Sequence, residues 1–173
     1  MAGLLDLLRQ ELGGNAIGQL SNHIGADPGT TQTAVAAAVP ELLGGMAQTA
    51  QQPGGEGAIH EAAQEHAGFL GNLTGLLGRA PADVAPGGGV LERILGDRQG
   101  QVQEHVAHAS GLAPDQTKRL LMVLAPLALA VLARQRGQGQ LQSGGLAQWL
   151  QQGQRAAQQP SAIGGVLGGV FGR

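Results

Sequence analysis

From Leu120 to Ala133 the chain reads LLMVLAPLALAVLA, without one polar side chain. A helix over this stretch is apolar on every face, and such helices are buried in a protein core or lie in a membrane. It would span about 21 Å, short of the roughly 30 Å of hydrocarbon in a bilayer. Lys118 and Arg119 bound it on one side, Arg134 and Arg136 on the other. The pattern therefore predicts a central core helix and speaks against a membrane span. Pro126, in its middle, removes one backbone donor and frees the Met122 carbonyl, which predicts a kink.

The other apolar positions follow the helical period over shorter stretches. Leu4, Leu5, Leu7, Leu8 and Leu12 alternate with Asp6, Arg9, Gln10 and Glu11 in a short amphipathic helix stopped by Gly13-Gly14. Asp6 precedes any positive charge, so this segment does not read as a secretory signal. Its leucines are expected to pack on the rest of the fold rather than to anchor it at a membrane surface. Ala16, Ile17, Leu20 and Ile24 share the face of a second helix closed by Gly25. Asp27-Pro28 then opens a long helix: an aspartate can cap free N–H groups, and a proline has none to leave unsatisfied at the first position. That helix carries Pro40 inside an apolar run, and Gln51 to Gly57 reads as a loop. No segment alternates apolar and polar residues over strand length, so the expected class is all-α.

The two prolines expose a repeat. The register that lays Pro28 on Pro114 also lays Pro40 on Pro126. It matches Gly3, Leu5, Gly14, Gly25, Thr31, Leu43 and Ala47 with Gly89, Leu91, Gly100, Gly111, Thr117, Leu129 and Ala133, with conservative swaps such as Asp6 for Glu92 and Leu20 for Val106. GNLTGLLGR, ending at Arg79, echoes GVLGGVFGR, ending at Arg173. The expected architecture is a tandem duplication of a multi-helix unit packed around the central apolar, proline-kinked helix. Residues 1–79 would form the first repeat, 80–89 (APADVAPGGG) a Pro/Gly-rich linker, and 90–173 the second repeat with its Gly-Leu-rich end. The first long helix, diluted by Thr30, Thr31, Gln32, Thr33 and Glu41, is expected to pack on the flank of the Leu-rich second one. The second copy has Ala113 where the first has its capping Asp27.

Composition narrows the picture further. Phe69, Trp149 and Phe171 are the only aromatic residues, so the core must be built from Leu, Val, Ile and Ala. The 31 glycines fall largely in clusters between helical stretches and act as punctuation. With no cysteine there is no disulfide framework and no thiolate site, which fits a reducing, cytoplasmic location. A net charge of −2 gives no overall attraction to nucleic acid or to an anionic membrane.

The stretch GGVLERILGDRQGQVQEHVAHASGLAPDQTKRLLMVLAPLALAVLA resembles the YidB-like bacterial proteins, a family of unknown function. The likeness lies in an Ile-Leu-Gly opening, a Ser-Gly-Leu-x-Pro turn and a Leu-rich helix containing Ala-Pro-Leu. The first copy, from Leu4 through HIGADPGTTQTAVAAAVPELLGGMA, resembles the family's N-terminal portion, and the Gly-Leu tail is similar too. Here the opening runs Gly89, Val90-Leu91, Ile94-Leu95-Gly96, a slight departure in spacing. The resemblance implies an all-α bacterial fold and carries over no catalytic residues.

Candidate chemistry is sparse. His105 and His108 are three apart and share a helical face, so both imidazoles could reach one divalent metal. His60 and His66, with Glu61 and Glu65, could complete such a site, but a spacing of six puts those two histidines on different faces. Surface histidines account for all four, and no metal site is expected. Ser21, Ser110, Ser143 and Ser161 lie in no Gly-x-Ser-x-Gly elbow. No glycine cluster matches a phosphate loop or a dinucleotide fingerprint. The expectation is a protein without enzymatic activity and without a cofactor.

Two binding classes remain. Val106 to Leu120 has the outline of a helix-turn-helix, and LSNHIGADPGTTQTAV repeats it. A reader of DNA exposes polar side chains along its second helix, whereas here Asp115, Gln116, Thr117, Lys118 and Arg119 give way at once to core. Lys118 and Arg119 are the contacts this alternative would use. The other class is an interaction module, an oligomer of itself or a binder of a protein partner. Val166, Leu167, Val170 and Phe171 form an apolar helical stripe among glycines that cost about 1 kcal/mol each in helix propensity. Such a segment orders by docking on its own core or on another subunit. Gln148, Gln151, Gln152, Gln154, Gln158 and Gln159 offer hydrogen bonds beside it without charge.

Overall fold

The computed structural model describes residues 14–69, 71–72, 87–137 and 145–158. Among them there are helices and turns and no strand. The helices are α1 (Gly14–Ile24), α2 (Pro28–Ala50), α3 (Gly55–Glu65), α4 (Gly87–Leu95), α5 (Gln99–Ser110), α6 (Pro114–Gly137) and α7 (Leu146–Gln158), with a 3-10 turn at Gly96–Arg98. The expected helix over Leu4–Leu12 and, apart from Gly71 and Asn72, the Gly-Leu segments that close each repeat lie outside the described residues.

Local chemistry sets the helix ends. Gly25 adopts φ 75°, and its N–H and that of Ala26 both donate to the Ser21 carbonyl at 2.9 Å, closing α1. Asp27 caps α2: its carboxylate accepts from the Thr30 N–H at 2.8 Å and the Thr30 hydroxyl at 2.6 Å, with Pro28 following at the first helical position. Gly111, at φ 77°, closes α5 and donates to the Ala107 carbonyl at 2.8 Å. The helix after it has no capping aspartate, and Gln116 supplies the cap instead. Its Oε1 accepts from the Ala113 N–H at 3.1 Å, the half of a capping box in which the third helical residue reaches back. Its Nε2 donates across to the Gly25 carbonyl at 2.6 Å. The end of the expected loop at 51–57 is helical, because Gly55 tucks under the Thr49 carbonyl where no side chain would fit and α3 starts there.

One apolar cluster runs from Leu20 to Leu150. Between Leu120 and Leu132 in α6 every residue but Met122 is buried, as an all-apolar helix requires. The expected arrangement differs in one respect. It is α2 that packs extensively on each of the other described helices, while α6 packs extensively on α1 to α5. Small residues on α2 explain this. A Cβ on Gly45 would stand 2.6 Å from Leu95 Cδ2 and 3.0 Å from the Ile94 carbonyl oxygen, and one on Gly44 would stand 2.6 Å from Gln154 Nε2. Lacking those atoms, α2 admits α4 and α7 against its backbone. Both α2 and α6 run as unbroken helices through Pro40 and Pro126.

Candidate functional site

The residues singled out for chemistry are dispersed, and most serve the packing of helices. His105 Nδ1 lies 2.8 Å from Glu41 Oε1, on α2, while His108 is exposed. His66 Nδ1 donates to the Ala62 carbonyl at 2.8 Å, finishing α3, and His60 Nε2 is 3.1 Å from the Gln64 amide. Glu65 pairs with Arg93 at 3.5 Å. Glu61 points to solvent. No group of three or more metal-ligating side chains is gathered among the described residues.

A constellation the sequence reading missed is the polar seam between α2 and the start of α5. Glu41 accepts from His105 and stands 4.0 Å from Arg98, whose other nitrogen donates to Gln48 Oε1 at 2.7 Å. The Glu41 side chain is only 22% exposed, against 67% for His105. A carboxylate that deep needs a partner. The available signal was its place: an acid directly after Pro40 in an apolar run implies a cation elsewhere in the fold. The seam joins helices.

The small niche between α2, α3, α4 and α6 is lined by Thr49, Ala58, Ile59, Ala62, Val90, Arg93, Ile94 and Leu129. Its walls are almost entirely apolar, and the Thr49 hydroxyl is already donating to the Ile94 carbonyl at 3.1 Å. It presents no nucleophile and no acid–base pair.

Lys118 and Arg119 are exposed near the start of α6, beyond the Gly111–Ala113 turn, and neither has a partner among the described residues. From Leu120 onward the helix is core, so the surface a duplex could meet is limited to this first stretch. Arg93, Arg98 and Arg136, by contrast, pair with Glu65, Glu41 and Glu56, the last at 3.4 Å. Helix α6 is also long and apolar enough to cross a membrane, but 72% of its most apolar stretch is buried within the protein. Val166, Leu167, Val170 and Phe171 lie outside the described residues. The helix leading toward them, α7, is fixed on α2 by buried Leu146 and Leu150, with Trp149 half-buried beside them.

No curated protein and no solved structure matches the chain. Residues 6–135 match a family described as bacterial protein of unknown function (DUF937). The match takes in α1 to α6 almost entire and stops before α7. The chain therefore belongs to this DUF937, or YidB-like, family of bacterial proteins.

Proposed function

We propose that the protein is a non-enzymatic helical interaction module of the cytoplasm, one that associates with itself or with a protein partner. The observation that supports this best is the use to which its polar side chains are put. Asp27, Gln116, Thr31 and Thr117 bond to helix ends; Glu41, Gln48, Arg98 and His105 tie helices together. The niche they leave is apolar. The association surface in this reading is the stripe of Val166, Leu167, Val170 and Phe171, carried from the anchored end of α7. Light scattering tests it: the parent chain should have a mass that is a multiple of 17.4 kDa, and a Val166→Asp, Phe171→Asp variant should fall to the single-chain value. A parent at the single-chain mass at every concentration would sink self-association through this stripe.

In the same reading the halves are copies of one multi-helix unit. The register that lays Pro28 on Pro114 also lays α1 on α5, α2 on α6, and left-handed Gly25 on left-handed Gly111. Pro40 and Pro126 then hold one position, and a kink at each belongs to the packing.

A DNA-binding reading is favoured by one observation, the exposed Lys118 and Arg119 at the start of α6. Binding of that kind falls steeply with salt. A duplex bound at physiological salt, and released by Lys118→Ala, Arg119→Ala, would put this reading first.

A further inference from the structure

Four helices, α2, α3, α5 and α7, find their most extensive partners in the other half of the chain, while α4 and α6 pack mainly on each other and α1 mainly on α2. α7, from the second half, lies along α2, from the first; α3, from the first, lies on α6, from the second. α5 also lies on α2, and α1 touches α6. The polar contacts repeat the pattern. Arg93–Glu65, Arg98–Glu41, His105–Glu41 and Arg136–Glu56 each join a residue before position 70 to one after position 87. So do the hydrogen bonds from Thr49 to the Ile94 carbonyl, from Arg98 to Gln48 and from Gln116 to the Gly25 carbonyl.

Neither half can close its core alone. An all-apolar helix needs cover on all sides, and α6 takes part of its cover from α4 and α5 and the rest from α1, α2 and α3. Conversely α2 borrows α4, α5 and α7, and its Gly44 and Gly45 are shaped to Gln154, Ile94 and Leu95 of the other half. We infer that residues 14–72 and 87–158 are reciprocal binding partners that exchange helices, so that a half-to-half interface, not the peptide between them, holds the chain together. This rests on the packing alone and is independent of self-association through the C-terminal stripe.

The test keeps the full chain. A specific protease site is placed within residues 80–86, ahead of α4, and the folded protein is cleaved there. The fragments should remain together in equal numbers by native mass spectrometry, with unchanged helical circular dichroism. Their unfolding midpoint should rise with concentration, as it must when two chains associate. Gly45→Leu in the cleaved protein, which drives bulk against Leu95 and the Ile94 carbonyl, should weaken fragment association by about tenfold or more. Fragments that separate after cleavage, folded or unfolded, would overturn the inference. So would a cleaved protein whose unfolding midpoint ignores concentration.

Discussion

Thr31 and Thr117 hold the same place in two different helices. Each is fully buried, and each hydroxyl donates to the carbonyl four residues back, Asp27 at 2.8 Å and Ala113 at 3.0 Å. Those carbonyls also accept from the threonines' own N–H groups, at 3.0 and 2.9 Å. Removing the hydroxyl therefore leaves no acceptor unpaired, and valine has nearly the same shape. Thr31→Val and Thr117→Val should each change stability by no more than about 1 kcal/mol. Thr→Ala at the same positions, which deletes a buried methyl, should cost more in urea unfolding. A valine variant that loses well over 2 kcal/mol would show that the hydroxyl matters beyond its one bond.

Asp27 and Gln116 perform one task with different chemistry, and pH separates them. The Thr30 hydroxyl, then the Thr30 backbone N–H, hold the Asp27 carboxyl below its ordinary value of 3.8. A depressed carboxyl stabilises the fold above that value, and the stabilisation is lost as pH falls through the lower folded value. Asp27→Ala should thus lower the urea midpoint at pH 7, with the gap to the parent closing in acid. Gln116→Ala should cost about 1 kcal/mol with no such pH dependence. Equal acid profiles for the two variants would contradict these assignments.

Two glycines in helices should respond with opposite signs. Gly18 in α1 has no neighbour in the way of a Cβ, so Gly18→Ala should stabilise by up to about 1 kcal/mol. At Gly45 the same change meets Leu95 and the Ile94 carbonyl. Overpacking of this kind costs about 1–3 kcal/mol, more than the propensity gain. Thermal unfolding of both variants decides it, and a stabilised Gly45→Ala would mean that α4 is not seated against α2.

Pro126 is buried, whereas Pro40 is half-buried. An alanine in either place restores helix propensity worth about 3 kcal/mol. At Pro126 that gain is opposed by the packing of Leu127, Leu129, Val131 and Leu132, all of them buried. Pro126→Ala should therefore give little net stabilisation, and Pro40→Ala a modest one. A gain near the full 3 kcal/mol, about the whole propensity difference, at Pro126 would show its position to be incidental to the core.

What the sequence could reveal follows from the range of the forces involved. Gly25, Asp27-Pro28 and Gly111 mark helix ends because capping acts over a few residues, and the apolar run from Leu120 is core because nothing in it tolerates water. Gln116 was not legible as a cap, because Ala113 before it has no side-chain oxygen to complete a capping box and its second bond, to Gly25, spans 91 residues. The partner of Glu41 was hidden by a similar separation in sequence. The choice of α2 as the shared neighbour lay in Gly44-Gly45, whose meaning is a shape and not a pattern of polarity. The family match adds no site, because the residues that carry the resemblance are those of turns and packing.

The pairing of α2 with α7 also sets a schedule for synthesis. Helix α2 is complete early in translation, while its most extensive neighbour is the last described element to leave the ribosome. At about 5–20 residues per second, several seconds pass between the two. Throughout that interval the side of α2 that α7 will cover, the one carrying Gly44, lacks its eventual neighbour. Closing so long a loop is slow compared with local helix formation. The nascent chain is thus a sticky, half-built object until α7 emerges, and truncation anywhere before α7 should give a product that needs chaperone protection or aggregates.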